Sequence, residues 1–323
     1  MIRALALTGP TASGKTSLSL EIAKALGCEI ICLDSMQIYK RMDIGTAKAT
    51  KEEQDTVRHH MLDFLSPTEN FSAMSYRDMA MSVAEDIVSR GKIPLFVGGT
   101  GLYLSTLIRK DAEQAPESDP EYRRKIEESL TSEEKRIELW KRLRQIDPVS
   151  AETIHYNNAR RVVRALEIFD ATGKTKSYFY ALSREKNTEI DIIHITLDFH
   201  DRENLYSRIN ERVDAMLQAG LFDEVKTLYN EGLLREETTA SQAIGYKEMI
   251  FVLKGESTMY EATEKLKQAT RNYAKRQLTW FRNMKSAISV FMDTEGGNMR
   301  NKNDILSECL SVFENHLKCQ NEN

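Results

Sequence analysis

The sequence of 323 residues predicts an α/β fold, with a P-loop-type parallel sheet core flanked by helices and an all-helical insertion. Three observations predict it. Short apolar runs alternate with helical patterns in the first third of the chain, a glycine-rich loop follows the first run, and a long charged interval before the last run has only helical patterns. Continuous apolar strands separated by helices are typical of a parallel sheet covered on both faces.

Five strands are predicted in order along the chain. The first, ALALT at residues 4–8, leads into the glycine-rich loop and then into a helix that ends before Gly27, a residue suited to a left-handed cap. The remaining candidates are EIICLD at 29–34, HHMLDFL at 59–65, IPLFVGG at 93–99 and IDIIHITLD at 190–198. After the fifth strand the pattern is helical again, so strands and helices alternate as in nucleotide-binding α/β cores.

The core is predicted to be discontinuous. Residues 1–118 and 185–299 are expected to form the P-loop α/β catalytic core with its C-terminal helices, residues 119–184 a helical insertion domain, and residues 300–323 a polar tail. No apolar run is long enough to span a bilayer, and the four cysteines lack the spacing of a zinc site or a disulfide framework. We therefore expect a cytoplasmic protein without membrane attachment, acting as a monomer.

The stretch GPTASGKT is a phosphate-binding signature. It matches G-x-x-x-x-G-K-[ST] and stands between a predicted strand and a predicted helix, which argues against a chance match. The residues expected to bind the phosphate are Gly9, Pro10, Thr11, Ala12, Ser13, Gly14, Lys15 and Thr16. Backbone amides and the helix N-terminus favour an anion, Lys15 adds a positive charge, and the Thr16 hydroxyl is expected to bind Mg²⁺.

Other polar residues end the predicted strands. Asp34 ends the second strand and Thr100 follows the fourth, and the carboxyl ends of parallel strands meet at the ligand-binding edge of a sheet. A catalytic or metal-binding role is predicted for Asp34, with a simple turn cap as the alternative. Asp63 and Asp198 also close apolar runs, so either could support Mg²⁺ through water.

Basic residues offer further sites for anions. Arg208 and Arg212 lie one turn apart on the helix after the fifth strand, and Arg212 is predicted to reach a diphosphate unless a neighbouring glutamate pairs with it. On the last long helix, Trp280 is expected on the core face and Glu264 is the only acidic residue near a basic stripe. That stripe comprises Lys267, Arg271, Lys275 and Arg282. With Tyr246 and Tyr273 available for stacking, it predicts a polyanion site despite a net charge of −4, and the alternative is a solvated face.

Six segments together closely resemble the bacterial tRNA dimethylallyltransferases. They are GPTASGKT, LDSMQIYKRMDIGTAK, IPLFVGGTGLY, NERVDAMLQAGLFDEV, SQAIGYKE and TRNYAKRQLTWFR, in the same order as in that family and reaching to about Arg282. The second segment is far more specific than the phosphate loop. The chain departs from the family at Arg58, where relatives usually have proline, and at Asn272, where they usually have glutamine. Residues 106–118 match poorly, and the tail beyond Gly297 is not covered.

The resemblance implies an alkyl transfer. Dimethylallyl diphosphate would donate its five-carbon group to the exocyclic amine of the adenine 3′-adjacent to the anticodon (position 37), in tRNAs reading UNN codons, and diphosphate would leave. Asp34 is the matched general base, and Thr100 would help to hold the diphosphate or the incoming base. Lys15, Arg212 and Mg²⁺ bound by Thr16 would neutralise the leaving group.

The resemblance also implies contacts with the tRNA anticodon stem-loop, on which the helical insertion would close. The implied contact residues are Asp34, Ser35, Met36, Gln37, Thr100, Arg123, Arg160, Arg161, Arg164, Gln242, Gly245, Tyr246, Lys247, Arg271, Lys275 and Arg276. Three alternatives stay open from the residues alone. They are an ATP-dependent small-molecule kinase, an adenylate dimethylallyltransferase that alkylates free nucleotide, and a non-catalytic RNA-binding switch that would leave Asp34 unexplained.

Overall fold

The computed structural model describes residues 1–109, 119–182, 187–235 and 238–319, and it confirms the α/β class. In these residues one sheet has the strand order β3-β2-β4-β1-β5-β6, and every neighbouring pair is parallel. The strands are β1 (Ile2–Thr8), β2 (Cys28–Leu33), β3 (His59–His60), β4 (Ile93–Gly98), β5 (Ile190–Asp198) and β6 (Ala287–Phe291). The carboxyl ends of β2, β4, β1 and β5 therefore lie side by side.

Helices connect and cover these strands. Those before β5 are α1 (Lys15–Leu26), α2 (Lys51–Thr56), α3 (Ala73–Ser89), α4 (Gly101–Ile108), α5 (Pro120–Ser129), α6 (Glu133–Ile146), α7 (Pro148–Thr153), α8 (Ala159–Thr172) and α9 (Lys176–Leu182). Those after it are α10 (Arg202–Gln218), α11 (Leu221–Asn230), α12 (Tyr246–Leu253), α13 (Met259–Arg282) and α14 (Lys302–Cys319). Helix α1 ends as predicted at Gly27, whose φ of 68° is a left-handed conformation.

The central strands are buried on both faces. Leu5 and Leu7 of β1 and Ile195 and Leu197 of β5 have no accessible surface on one face, and neither have Ala6 of β1 and Phe96 of β4 on the other. Complete burial of one leucine, isoleucine or phenylalanine side chain contributes about 1.5–3 kcal/mol. The strand order places β1 between β4 and β5, so the phosphate loop that follows β1 lies near the centre of the carboxyl edge.

The chain divides into two compact units, Met1–Leu107 with Glu189–Asn323 and Ile108–Thr188. The first unit contains the whole sheet, and the described part of the second is helical, from α5 to α9. The predicted boundaries at residues 118 and 184–185 lie outside the described residues. No helix in the described ranges combines the length and the apolar character that crossing a bilayer requires.

The structure of the C-terminal region differs from the sequence-based prediction. Residues 300–323 were expected to be a polar tail, but α14 packs on the core through Ile305, Cys309 and Phe313, which are buried. These residues recur every four positions, so one face of an otherwise polar helix is apolar. Strand β6 was not predicted, and β3 covers only two residues of the predicted third strand.

Candidate active site

One cavity of about 800 Å³ opens at the carboxyl edge of the sheet. The phosphate loop, the segment after β2, the end of β4, α10 and α13 all contribute to its wall. Its lining includes Thr11, Ala12, Gly14, Lys15, Thr16, Asp34, Ser35, Met36, Gln37, Gly98, Gly99, Arg208, Arg212, Gln242, Gly245, Tyr273, Arg276 and Gln277. Five of the eight predicted phosphate-binding residues thus line the same space as Asp34, whereas Gly9, Pro10 and Ser13 are not among the lining residues.

The phosphate loop has the backbone that its glycines predict. Gly14 has a φ of 90°, and a side chain at Gly9 would lie 2.9 Å from the carbonyl oxygen of Leu197. The Lys15 ammonium donates to the carbonyl oxygens of Gly9 at 3.0 Å and Pro10 at 2.6 Å. Burial lowers the pKa of Lys15 to about 7, the Arg212 charge adds to this effect, and Asp34 opposes it. An anion in the loop would therefore stabilise the charged form of Lys15.

Two side chains from distant helices hold the phosphate loop. Arg208 donates from Nε to the carbonyl oxygen of Ala12 at 2.8 Å. Gln277 accepts from the amide of Thr11 at 2.8 Å and donates to the carbonyl oxygen of Gly99 at 2.9 Å. No structural role in the phosphate loop was predicted for Gln277, although a polar residue on the buried face of α13 was the available signal.

Asp34 and Thr100 are held by neighbouring amides. One carboxylate oxygen of Asp34 accepts from the amides of Met36 at 2.8 Å and Gln37 at 3.3 Å, which is the turn geometry considered as the alternative for this residue. Thr100 Oγ1 accepts from the amide of Ser35 at 3.1 Å. Asp34 is among the residues that line the cavity, and Thr100 is not. The turn therefore fixes the Asp34 carboxylate and leaves its second oxygen for a ligand.

Arg212 also lines the cavity. Burial lowers its pKa, and the charge of Asp34 opposes that shift. Lys15, Asp34 and Arg212 therefore all line the cavity, and the charge of Asp34 raises the pKa of both cationic side chains. A bound anion would stabilise the charged forms of Lys15 and Arg212, whose pKa values burial lowers.

The other acidic candidates for Mg²⁺ have basic partners. Asp198 accepts from Arg282 Nε at 2.8 Å and Nη2 at 2.6 Å, and Asp63 pairs with Lys48. In the described ranges no group of three or more His, Cys, Asp or Glu residues could hold a metal ion. Thr16 nevertheless lines the cavity beside the phosphate loop. This donor set fits a magnesium ion that takes most of its ligands from phosphate oxygens and water.

A glutamate of α11 holds the segment that follows Gln37 between β2 and α2. Glu224 accepts from the amides of Asp43 at 3.0 Å, Ile44 at 2.8 Å and Gly45 at 3.1 Å. It also accepts from the Tyr246 hydroxyl at 2.5 Å. Tyr246 is fully buried, so its ring is not available for the stacking expected from the sequence. Sequence reasoning missed Glu224, because its partners lie about 180 positions away in the chain.

The basic stripe on α13 is partly neutralised, contrary to expectation. Lys267 pairs with Asp214 at 2.7 Å, and Arg271 donates to Asn210 Oδ1 at 2.7 Å. Arg282 is the third residue of the stripe with a partner, because it pairs with Asp198. Lys275 is exposed. Trp280, expected on the core face, is 41% exposed.

Several tRNA-binding candidates lie on the helical unit. Glu167 accepts from Arg123 Nη2 at 3.0 Å and from Arg164 Nη1 at 2.7 Å. Arg160 and Arg161 are exposed in the first turn of α8. Two of these four arginines are thus engaged by a buried carboxylate, and the other two project into solvent.

The family model and the relatives that match this chain all describe one family of transferases. The IPP transferase model matches residues 37–284. A tRNA dimethylallyltransferase of Anoxybacillus flavithermus is 48% identical over 283 residues, which are 87% of this chain and 88% of that one. Its counterpart in Bacillus velezensis is 46% identical over 306 residues, covering 94% of this chain and 95% of the relative.

Solved structures agree. A tRNA isopentenylpyrophosphate transferase from Bacillus halodurans is 39% identical, with a TM-score of 0.73 over 100% of this chain and 99% of that one. A eukaryotic dimethylallyltransferase acting on tRNA is 31% identical, with a TM-score of 0.75 over 90% of this chain and 74% of that one. With its phosphate loop and Asp34 in one cavity, the chain belongs to the IPP transferase family.

Proposed function

We propose that this protein transfers the dimethylallyl group of dimethylallyl diphosphate to the exocyclic amine of adenine 37 in tRNAs that read UNN codons. Family membership supports the class of reaction. The observation that carries the proposal is the shared cavity, in which a phosphate loop and the fixed carboxylate of Asp34 line the same space. A diphosphate and a nucleobase amine can therefore meet there.

Charge neutralisation at the leaving group is the first requirement of this reaction. The bond between the allylic carbon and the diphosphate oxygen breaks, and both electrons go to the oxygen. Lys15, Arg212 and the amides of the phosphate loop are proposed to stabilise the developing negative charge, and the cavity lining, which includes Lys15, Arg212 and part of the loop, supports this role. Thr16 would hold Mg²⁺ against the diphosphate, and this ion would supply further charge stabilisation.

Removal of a proton from the amine is the second requirement. The lone pair of the adenine nitrogen forms the new bond to the allylic carbon, and the nitrogen must then lose a proton. Asp34 is proposed to accept it, because the amides of Met36 and Gln37 orient its carboxylate through one oxygen. A well-placed general base contributes about 10²–10⁴-fold to the rate.

Recognition of the tRNA is proposed to use both units. The adenine must leave the stack of the anticodon loop to enter the cavity, which costs less in a loop than in a duplex. Lys275 and Arg276 on α13 and Arg160 and Arg161 on α8 are exposed cations that suit a phosphate backbone. Residues 119–184 would close on the anticodon stem, and we propose a monomeric cytoplasmic enzyme.

A transfer assay tests the proposal. The protein is incubated with labelled dimethylallyl diphosphate, Mg²⁺ and unmodified tRNA, and parallel reactions contain AMP or ATP. The proposal predicts label in adenine 37 that AMP does not compete away. Label in AMP instead of tRNA would favour an adenylate dimethylallyltransferase, and ATP hydrolysis without labelled tRNA would favour a kinase.

A further inference from the structure

The cavity is built between two antiparallel helices whose register is visible in their polar contacts. Asn210 of α10 bonds to Arg271 of α13 at 2.7 Å, and Asp214 pairs with Lys267 at 2.7 Å. Four residues forward along α10 thus correspond to four residues backward along α13. By this register Met216, two residues beyond Asp214, is level with position 265 of α13, one residue from Leu266. The side chains of Met216 and Leu266 both line the cavity.

The lining changes in chemistry along this pair of helices. At one end Arg208 and Gln277 contact the phosphate loop, and Arg212 lies one turn further along α10. Beyond Arg212 the lining residues of α10 are apolar, namely Val213, Ala215 and Met216. Leu266, which is 2% exposed, completes this apolar part from α13.

The spacing of these groups matches a short isoprenoid. Arg212 and Met216 are four positions apart on α10, which corresponds to about 6 Å along a helix axis. A dimethylallyl chain extends about 5 Å from its diphosphate, close to the rise of one helical turn. A chain whose diphosphate lies against Arg212 would therefore end at Met216.

We propose that Met216 sets the length of the prenyl chain that the enzyme accepts, by closing the apolar end of the cavity against Leu266. This inference rests on the proposed prenyl transfer. The donors it concerns are prenyl diphosphates, and the excluded class begins with the ten-carbon geranyl diphosphate, which is longer by one isoprene unit. The reaction would be the same for either donor: the amine nitrogen bonds to the allylic carbon, and diphosphate leaves with the electron pair.

The test compares the two donors in variants of this residue. Met216→Ala and the milder Met216→Val are assayed with unmodified tRNA for kcat/KM with geranyl and with dimethylallyl diphosphate. We expect Met216→Ala to raise the geranyl-to-dimethylallyl ratio by about 10–200-fold, the range for methylene-sized changes in an apolar pocket. Met216→Val should give a smaller increase. Met259→Ala is the matched control, because Met259 begins α13, is 38% exposed and is not among the cavity residues.

Inhibition by inorganic diphosphate distinguishes an effect on the tail from an effect on the charged end. Its inhibition constant should be the same in Met216→Ala and in the wild type. Normal transfer of the dimethylallyl group with an unchanged donor ratio in both Met216 variants would overturn the proposal. A rise in the inhibition constant of diphosphate in Met216→Ala that is as large as the change in the donor ratio would also overturn the proposal. Failure of the wild-type protein to label tRNA from dimethylallyl diphosphate is a different result, because it would contradict the proposed function itself.

Discussion

Gln277 accepts a hydrogen bond from the amide of Thr11 at 2.8 Å and donates one to the carbonyl oxygen of Gly99 at 2.9 Å. One buried side chain of α13 therefore joins the phosphate loop to the end of β4. A Cβ atom at position 99 would lie 2.1 Å from Gln277 Nε2, so the contact requires glycine at this position. Both loops line the cavity, so its wall depends on a residue that lies 266 positions from Thr11 and 178 positions from Gly99 in the chain.

Gln277→Met should weaken catalysis by displacing the phosphate loop. The substitution keeps the length of the side chain but leaves the Thr11 amide and the Gly99 carbonyl without a partner, at a cost of about 1–3 kcal/mol for each. We expect kcat/KM for dimethylallyl diphosphate to fall by about 10²-fold, the effect of a misplacement near 1 Å. Steady-state kinetics measure it. Gln268→Met, at an exposed position of the same helix, should leave kcat/KM unchanged.

Asp34→Asn should separate binding from turnover. The amide keeps an oxygen that can accept from Met36 and Gln37, so the turn should persist, but it cannot accept the proton of the amine. We expect turnover to fall by about 10²–10⁴-fold while the affinity for tRNA changes little. Single-turnover rates and tRNA binding are measured on the same preparation. Asp55→Asn on α2 is the control, and wild-type turnover in Asp34→Asn would exclude this residue as the base.

The contribution of α13 to tRNA binding should come from its unpaired side. Lys275→Ala should weaken tRNA binding and reduce the slope of log Kd against log salt by about one, because each phosphate contact releases a counterion. Lys267→Ala should change the slope less, since Asp214 already pairs with Lys267. Lys24, near the end of α1 and so far from the carboxyl edge of the sheet, provides the control. Equal slopes for all four proteins would assign Lys275 to an ordinary surface.

Stability in acid should depend on Glu29. Hydrogen bonds from Arg90 are the main cause that lowers the pKa of Glu29, and His60 contributes at 2.7 Å, giving a pKa of about 2 against an ordinary value of 4.5. The charged form is favoured in the folded state. Its stabilisation is therefore complete above about pH 4.5 and is lost as the pH falls towards 2.

Glu29→Gln tests this pH dependence. The difference in unfolding free energy between wild type and variant should be largest near neutral pH, at most ~3 kcal/mol, and should shrink between pH 4.5 and 2. Denaturant titrations at a series of pH values measure it. Glu52→Gln, at an exposed position of α2, should show no such change. A difference that stays constant with pH would contradict the assignment of the shift to Glu29.

Local pattern was enough to predict the sheet and the phosphate loop. The strands β1, β2, β4 and β5 are continuous apolar runs, and the loop between β1 and α1 has a backbone that only glycines allow at two positions. Asp34 was predictable because a polar residue that ends such a run lies at the ligand edge. Family resemblance then supplied the chemistry of the site.

Other features depend on contacts that no local pattern contains. Glu224 and Gln277 act on backbone groups far away in the sequence, so neither has a recognisable motif around it. The pairing of Arg282 with Asp198 could not be foreseen, and the basic stripe was therefore overestimated. The apolar face of α14 was present in the sequence, but its polar composition concealed it.

The central claim is that the phosphate loop holds the diphosphate of a prenyl donor while a tRNA adenine attacks. The most direct measurement is the stoichiometry of the reaction with purified protein, dimethylallyl diphosphate and unmodified tRNA in the absence of ATP. One diphosphate should be released for each isoprenoid found on adenine 37. Transfer that requires ATP hydrolysis, or diphosphate release without modified tRNA, would contradict it.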